Sequence, residues 1–149
     1  MGRRGEGWFL LQMVLFGVIL VVPRITPVTF PWWLQGLGVV LLAAGGVFGT
    51  WGMVALGRNL TPFPKPIEGG ELVTTGPYAR VRHPIYTGLI LGTLGWALFR
   101  ANLIGVALAA ALFVFFDLKS RREERWLVEA YADYPEYQRR VRKLIPWIY

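Results

Sequence analysis

One histidine occurs in the 149 residues of this chain, within Gly76-Pro77-Tyr78-Ala79-Arg80-Val81-Arg82-His83-Pro84-Ile85-Tyr86-Thr87-Gly88. Two arginines and two tyrosines share the segment, at a border where polar sequence gives way to apolar sequence. A guanidinium offers a planar fork to an anion, and imidazole and phenol both donate and accept hydrogen bonds. About forty positions on, Glu123 and Glu124 supply acceptors, followed by Tyr134 and Tyr137. Ionisable groups are expensive beside a bilayer, which makes such a set a functional candidate by default. Together these residues read as a polar ligand pocket at the cytoplasmic end of a small helical membrane enzyme.

The elements that must position them are apolar helices. The chain is 54% apolar and only 17% charged, against about 25% charged in an ordinary soluble domain. No Asp, Glu, Lys or Arg falls in Trp8–Val22, Trp32–Leu56, Pro84–Phe99 or Leu103–Phe116. A spanning helix needs ~20 apolar residues, with ~17 as a practical minimum. Trp32–Leu56 has 25, whereas the other three have 15, 16 and 14 and must borrow flanking Tyr, Trp, Lys and Arg. The expected fold is all-α and integral to the membrane. It has four transmembrane helices, at about 8–22, 32–56, 84–99 and 101–118, and a cytoplasmic helical tail, 119–149, in one domain. Arg3 and Arg4 before the first run imitate a signal peptide, but no small-x-small site follows, so that run is expected to be a retained helix.

Cations set the orientation. Arg3, Arg4, Arg58, Lys65, Arg80, Arg82 and eight residues from Lys119 to Lys143 make fourteen on one side of such a bundle, against Arg24 and Arg100 on the other. The excess marks the cytoplasmic face, which then holds both termini and the second loop. The net charge of +7 is therefore read as attraction to anionic headgroups. Nucleic acid is not an expected partner. With no cysteine and one histidine, an all-protein transition-metal site is not expected either.

Within the second loop, Pro62, Pro64 and Pro66 favour an extended polyproline run. Glu68-Gly69-Gly70-Glu71 reads as a turn and Leu72–Thr75 as a short extended piece. Loops of this length commonly serve as lids or binding loops. Arg100-Ala101-Asn102 is short enough to fold the last two apolar runs into an antiparallel hairpin. Gly88, Gly92 and Gly95 share one helical face, suited to close helix contact. Beyond Asp117 the sequence turns charged, predicting a separate amphipathic helix over about 119–132, an interruption at Pro135 and a second helix to Lys143.

Arg82-His83-Pro84-Ile85-Tyr86-Thr87-Gly88 after Gly76-Pro77-Tyr78, with Glu123-Glu124-x-x-Leu127, Tyr134-x-x-Tyr137 and Ile145-Pro146, resembles the isoprenylcysteine carboxyl methyltransferase family. That family sits with the phospholipid methyltransferases among integral membrane methyltransferases. The resemblance runs from about Leu56 to Pro146. Two departures stand out: the Leu127-to-Tyr134 distance is one residue short, and Ala132 replaces a common glycine. The resemblance implies S-adenosylmethionine as methyl donor, held under the tail, and a lipid or lipid-like acceptor from the bilayer. The implied cofactor-binding residues are Tyr78, Arg82, His83, Pro84, Tyr86, Gly88, Glu123, Glu124, Tyr134 and Tyr137. Arg82 suits the donor carboxylate, His83 and Tyr86 its methionyl part, and Glu124 or Glu123 its ribose hydroxyls or amino group. No catalytic base is identified, since displacement at a sulfonium methyl needs mainly proximity and orientation.

Plainer readings compete with each assignment. Arg80 and Arg82 could mark the cytoplasmic side, and His83 could be a helix-entry residue above Pro84, which suits a first helical turn. Tyr78 and Tyr86 could be interface aromatics, Glu123 and Glu124 could pair with nearby arginines, and Gly88 could serve packing. Two other functions also stay open. One is a sterol-reductase-like enzyme using NADPH, which shares an Arg-His-x-x-Tyr-x-Gly element; the other is a non-enzymatic scaffold.

Overall fold

The computed structural model describes residues 5–21 and 28–149. Arg3, Arg4, Arg24 and the end of the first predicted helix at Val22 lie outside the described residues. Five α-helices follow in order: α1 Glu6–Val21, α2 Trp32–Leu56, α3 Pro84–Phe99, α4 Leu103–Ala130 and α5 Tyr134–Arg140. Single 3₁₀ turns, Gly57–Asn59 and Gly76–Ala79, flank the long loop between α2 and α3. No strand occurs among the described residues. An isolated parallel bridge joins Val81 to Arg142.

α2 and α4 are long and apolar enough to cross a membrane, while α1 and α3 are shorter apolar helices of 16 residues each. Outward-facing side chains on the bundle are largely apolar: Leu20 is 79% and Val54 73% exposed. In water such a surface would be unfavourable; against acyl chains it is not.

Glycine decides how α2 meets α3. A Cβ built on Gly45 would lie 2.6 Å from the Gly88 carbonyl oxygen, and one on Gly88 would lie 2.6 Å from that of Gly45. The two backbones touch there, as small residues allow in lipid. Gly38 repeats the contact two turns away, against Phe99 and Gly95. α3 and α4 form the expected antiparallel hairpin, with Ala101 at φ 48° and Asn102 capping α4 by accepting from the Gly105 amide at 3.1 Å. The core is Leu112, Phe115 and Phe116 of α4, covered by Trp8, Leu15, Phe16 and Ile19 of α1 and by Tyr86, Leu89 and Ile90 of α3.

Four expectations need correction. α4 does not stop near Leu118: it continues unbroken for 28 residues to Ala130. The change of composition at Lys119 marks a change of surroundings, and Lys, Arg and Glu are all good helix formers. The break falls instead at Tyr131, whose backbone is extended, and Pro135 opens α5 in its first turn instead of interrupting a helix. α5 also ends at Arg140, short of Lys143, because the next residues leave the helix to pair with Val81. In the long loop, Pro62–Lys65 forms a series of bends, not an extended run, with the Phe63 amide donating to Thr61 Oγ1 at 3.2 Å. The predicted turn is present with Gly69 at φ 74°, and Thr75, the last residue of the predicted extended piece, has extended backbone.

Candidate functional site

The start of α3 is fixed by a strap from the end of the chain. The Arg82 and His83 amides donate to the carbonyls of Arg142 (2.8 Å) and Lys143 (3.1 Å), and Thr87 Oγ1 donates to that of Leu144 at 2.7 Å. Lys143 is itself buried, its Nζ 2.6 Å from Asp117 Oδ1, and the Tyr149 hydroxyl donates to the same oxygen at 2.8 Å. The final segment is therefore tied to α4 on one side and to the Arg-His pair on the other.

Glu124 lies at the centre of the side-chain network. Arg82 Nε donates to its Oε1 at 2.7 Å, His83 Nε2 lies 3.0 Å from the same oxygen, and Gln138 Nε2 donates to Oε2 at 2.9 Å. Arg82 Nη1 also donates to the carbonyls of Gln138 (3.0 Å) and Val141 (2.5 Å). Burial raises the Glu124 pKa, but the hydrogen bonds and charges of His83 and Arg82 outweigh it and hold it at about 2. This charged half of α4, beyond Leu118, lies past the apolar stretch.

Tyr86 extends the network sideways. Its hydroxyl donates to Glu123 Oε2 at 2.7 Å, and its ring stacks with those of His83 and Phe116, at centroid distances of 5.3 and 4.4 Å. Tyr137 donates to the Tyr78 carbonyl at 2.7 Å. Burial raises the pKa of Tyr78, Tyr134 and Tyr137, so all three phenols stay protonated donors. The Tyr134 residue is 1% exposed, yet its hydroxyl has no hydrogen-bond partner among the described residues. An orphaned buried hydroxyl is costly, and a ligand group would satisfy it.

These groups border a cavity of about 380 Å³ between the long loop, α2, α3 and α4. Sites for small molecules commonly have ~300–1,000 Å³. Tyr78, Arg82, His83, Tyr86, Glu123, Tyr134 and Tyr137 line it. Three other sequence candidates do not. Gly88 faces α2, Pro84 packs under Gly52, and Glu124 stands behind Arg82 and His83. Arg82 has Glu124 and two carbonyls as partners within the protein, a commitment its sequence position does not reveal.

Sequence reasoning missed Gln12, Lys119 and Tyr131 on the wall, Gln138 beneath Arg82, and Asp117 as the anchor of the strap. Asp117 and Lys119 did carry a signal, as the first charges after a long apolar run. Gln12 carried one too, as the polar residue in the middle of α1.

Known proteins place this arrangement. The family described as phospholipid methyltransferase matches residues 33–134. Protein-S-isoprenylcysteine O-methyltransferase B of Arabidopsis thaliana is 29% identical over 121 residues, covering 78% of this chain and 61% of that protein. The protein-S-isoprenylcysteine O-methyltransferase of Saccharomyces cerevisiae is 32% identical over 116 residues, covering 75% and 48%. The cobalt-zinc-cadmium resistance protein CzcN of Cupriavidus metallidurans is 37% identical over 80 residues, covering 53% and 37%. The chain thus spans less than two thirds of the length of these relatives. Among solved structures, the eukaryotic intramembrane Ras methyltransferase, an isoprenylcysteine carboxyl methyltransferase, aligns over 96% of this chain and 50% of that one. Its TM-score of 0.71 at 24% identity establishes a common fold. With the matched segment running from α2 to the start of α5 and holding most of the cavity wall, the chain belongs to the phospholipid methyltransferase family and is an integral membrane protein.

Proposed function

We propose that this protein is an S-adenosylmethionine-dependent methyltransferase acting on a lipid or lipid-like acceptor. The observation that carries the reading is a cavity bordered by Arg82, His83, Glu123 and the orphaned Tyr134 hydroxyl, at the polar end of an apolar bundle. The residues fit such a donor. Its amino-acid end and ribose call for charged and hydrogen-bonding partners, which the Tyr134 hydroxyl, His83 and Glu123 supply. Its purine calls for aromatic and apolar faces, which Tyr78, Phe63 and Leu127 supply. When bound, the donor supplies a methyl group activated by a cationic sulfur. The chain's own residues hold and orient: Glu124 fixes the rotamers of Arg82 and His83, Tyr86 fixes Glu123, and the long loop forms one wall of the cavity. The mechanism relies on proximity and orientation, without a dedicated base.

The same reading assigns the topology. α1 to α4 cross the membrane as four spans within one domain, with both termini and the cavity on the cytoplasmic side. The fourteen-to-two division of cations in the sequence supports this. The acceptor reaches the cavity from the bilayer, along its wall of Met53, Leu56, Ile85 and Leu89.

Thermal melting of purified protein tests the reading. S-adenosylhomocysteine should raise the melting temperature and NADPH should not, and label from S-adenosylmethionine should pass into extracted membrane lipids. His83→Ala should weaken S-adenosylhomocysteine binding by roughly ten- to a hundred-fold, as expected for loss of a hydrogen bond worth ~1.5–3 kcal/mol. No stabilisation by S-adenosylhomocysteine would sink the assignment.

A further inference from the structure

After leaving its last apolar helix, the chain comes back to the border of the apolar zone. α4 emerges from its apolar stretch at Asp117, the first charged residue after Leu103. At the far end of the tail the Tyr149 hydroxyl donates to Asp117 Oδ1 at 2.8 Å. The Tyr149 ring lies 6.3 Å, between centroids, from that of Phe113, one turn back inside the apolar stretch. Residues 145–149 therefore sit level with the end of the apolar stretch, not out beside Glu124. There the segment closes on itself. The Leu144 and Ile145 amides donate to the Tyr149 backbone oxygen at 2.7 and 2.6 Å, and the Ile148 and Tyr149 amides donate to the Ile145 carbonyl at 3.1 and 3.0 Å. Trp147, at the tip, has φ 63°, a conformation that is costly for a bulky side chain and persists where its surroundings impose it. The turn directs Trp147 and Ile148 outward, 80% and 76% exposed. Trp32, 84% exposed, is the one other tryptophan so open, and it begins α2 at the end away from the cavity.

We propose that the turn at residues 145–149 is a membrane-interface anchor, with Trp147 and Ile148 inserted into the headgroup zone of the bilayer beside the end of α4. An indole is flat and amphipathic, and tryptophan is enriched at both membrane interfaces. Trp32 supplies it at one end of the bundle, and Trp147 supplies it at the cavity end. Charge agrees with a lipid surface: Arg139, Arg140 and Arg142 precede the tip and are exposed, against a single acid, Glu136, in residues 134–149. Cations so placed are attracted to anionic headgroups. A second copy of the chain would also cover the tip, but two outward side chains are far fewer than the ~20–30 residues a side of a stable protein interface. The anchor does not depend on what the cavity binds. It gives the strap two attachments: Lys143 holds it to Asp117 of α4, and Trp147 holds it to lipid. Between them runs the segment whose carbonyls support Arg82, His83 and Thr87.

The chain has no cysteine, so one introduced thiol carries a polarity-sensitive fluorophore at one chosen place. Full-length protein labelled at Ile148→Cys is reconstituted into vesicles of phosphatidylcholine and phosphatidylglycerol that include a phospholipid with a nitroxide near its headgroup. Val114→Cys, outward on the apolar stretch of α4, is the dry reference, and Ala132→Cys, exposed between α4 and α5, is the wet one. The label at 148 should emit to the blue of that at 132, resist quenching by aqueous iodide and be quenched by the nitroxide lipid. Adding Trp147→Ser should remove most of the nitroxide quenching while leaving the melting temperature near that of wild type, as for other exposed side chains. A label at 148 as wet as the one at 132 would overturn the anchor. A dry label that the nitroxide lipid does not quench would overturn it as well, by assigning the tip to contact with a second copy. A wet label at Val114 would overturn the membrane span of α4 together with the anchor.

Discussion

The seam between α2 and α3 and the network at the start of α3 lie within two turns of each other and are held by different forces. At the seam, Gly45 and Gly88 bring backbone against backbone with no side chain between them. At the network, Glu124 collects Arg82, His83 and Gln138 around one carboxylate. The seam is fixed by shape, so it should ignore pH and resist any added atom. The network is fixed by charge, so it should tolerate small changes of volume but not loss of a partner. Membrane helices pack without a hydrophobic driving force between them, which leaves the seam to shape and the site to charge.

The largest effect is expected in the network. Glu124→Ala should lower stability by about 3–5 kcal/mol, because it leaves the side-chain nitrogens of Arg82, His83 and Gln138 without their shared acceptor. Chemical denaturation in detergent would measure it, and a loss below ~1 kcal/mol would show that the carboxylate does not organise the site.

Acid should come next. The Glu124 carboxyl is held at about 2 against an ordinary 4.5, so its stabilisation is complete above pH 4.5 and is lost as pH falls from 4.5 toward 2. At ~1.4 kcal/mol per unit the loss amounts to about 3 kcal/mol. Glu124→Gln should remove most of that slope, and an unchanged acid profile in the variant would assign it elsewhere.

The seam supplies a smaller and sharper contrast. A side chain at Gly45 meets the Gly88 and Gly92 backbone at 2.6 Å, whereas one at Gly46 meets nothing within 4 Å. Gly45→Val should cost about 2 kcal/mol at every pH, and Gly46→Val close to nothing. Equal melting temperatures for the two variants would remove the seam from the account. The smallest effect is expected on the opposite side of the bundle, where Arg100 lies 5.3 Å from the Trp96 ring centroid. Arg100→Ala should change stability by less than ~1 kcal/mol and leave S-adenosylhomocysteine binding as it was.

The sequence alone determined where α2 and α3 begin and end. Runs free of charge, bounded by proline, glycine or arginine, gave α2 and α3 at the residues the structure assigns, because apolar length and helix breakers act locally. It also brought forward His83 and Glu124, whose residue types are rare in such surroundings. The tertiary structure decided what those residues face. Gly88 is turned to α2 and Glu124 stands behind Arg82, since which side of a helix meets a neighbour depends on the neighbour. The end of α4 was hidden for a related reason: lipid and water change the composition of a helix without breaking its backbone. Gln12 and Lys119, 107 positions apart, meet only because α1 packs on α4. No local pattern encodes such a pairing, because the energy that makes it comes from burying other side chains.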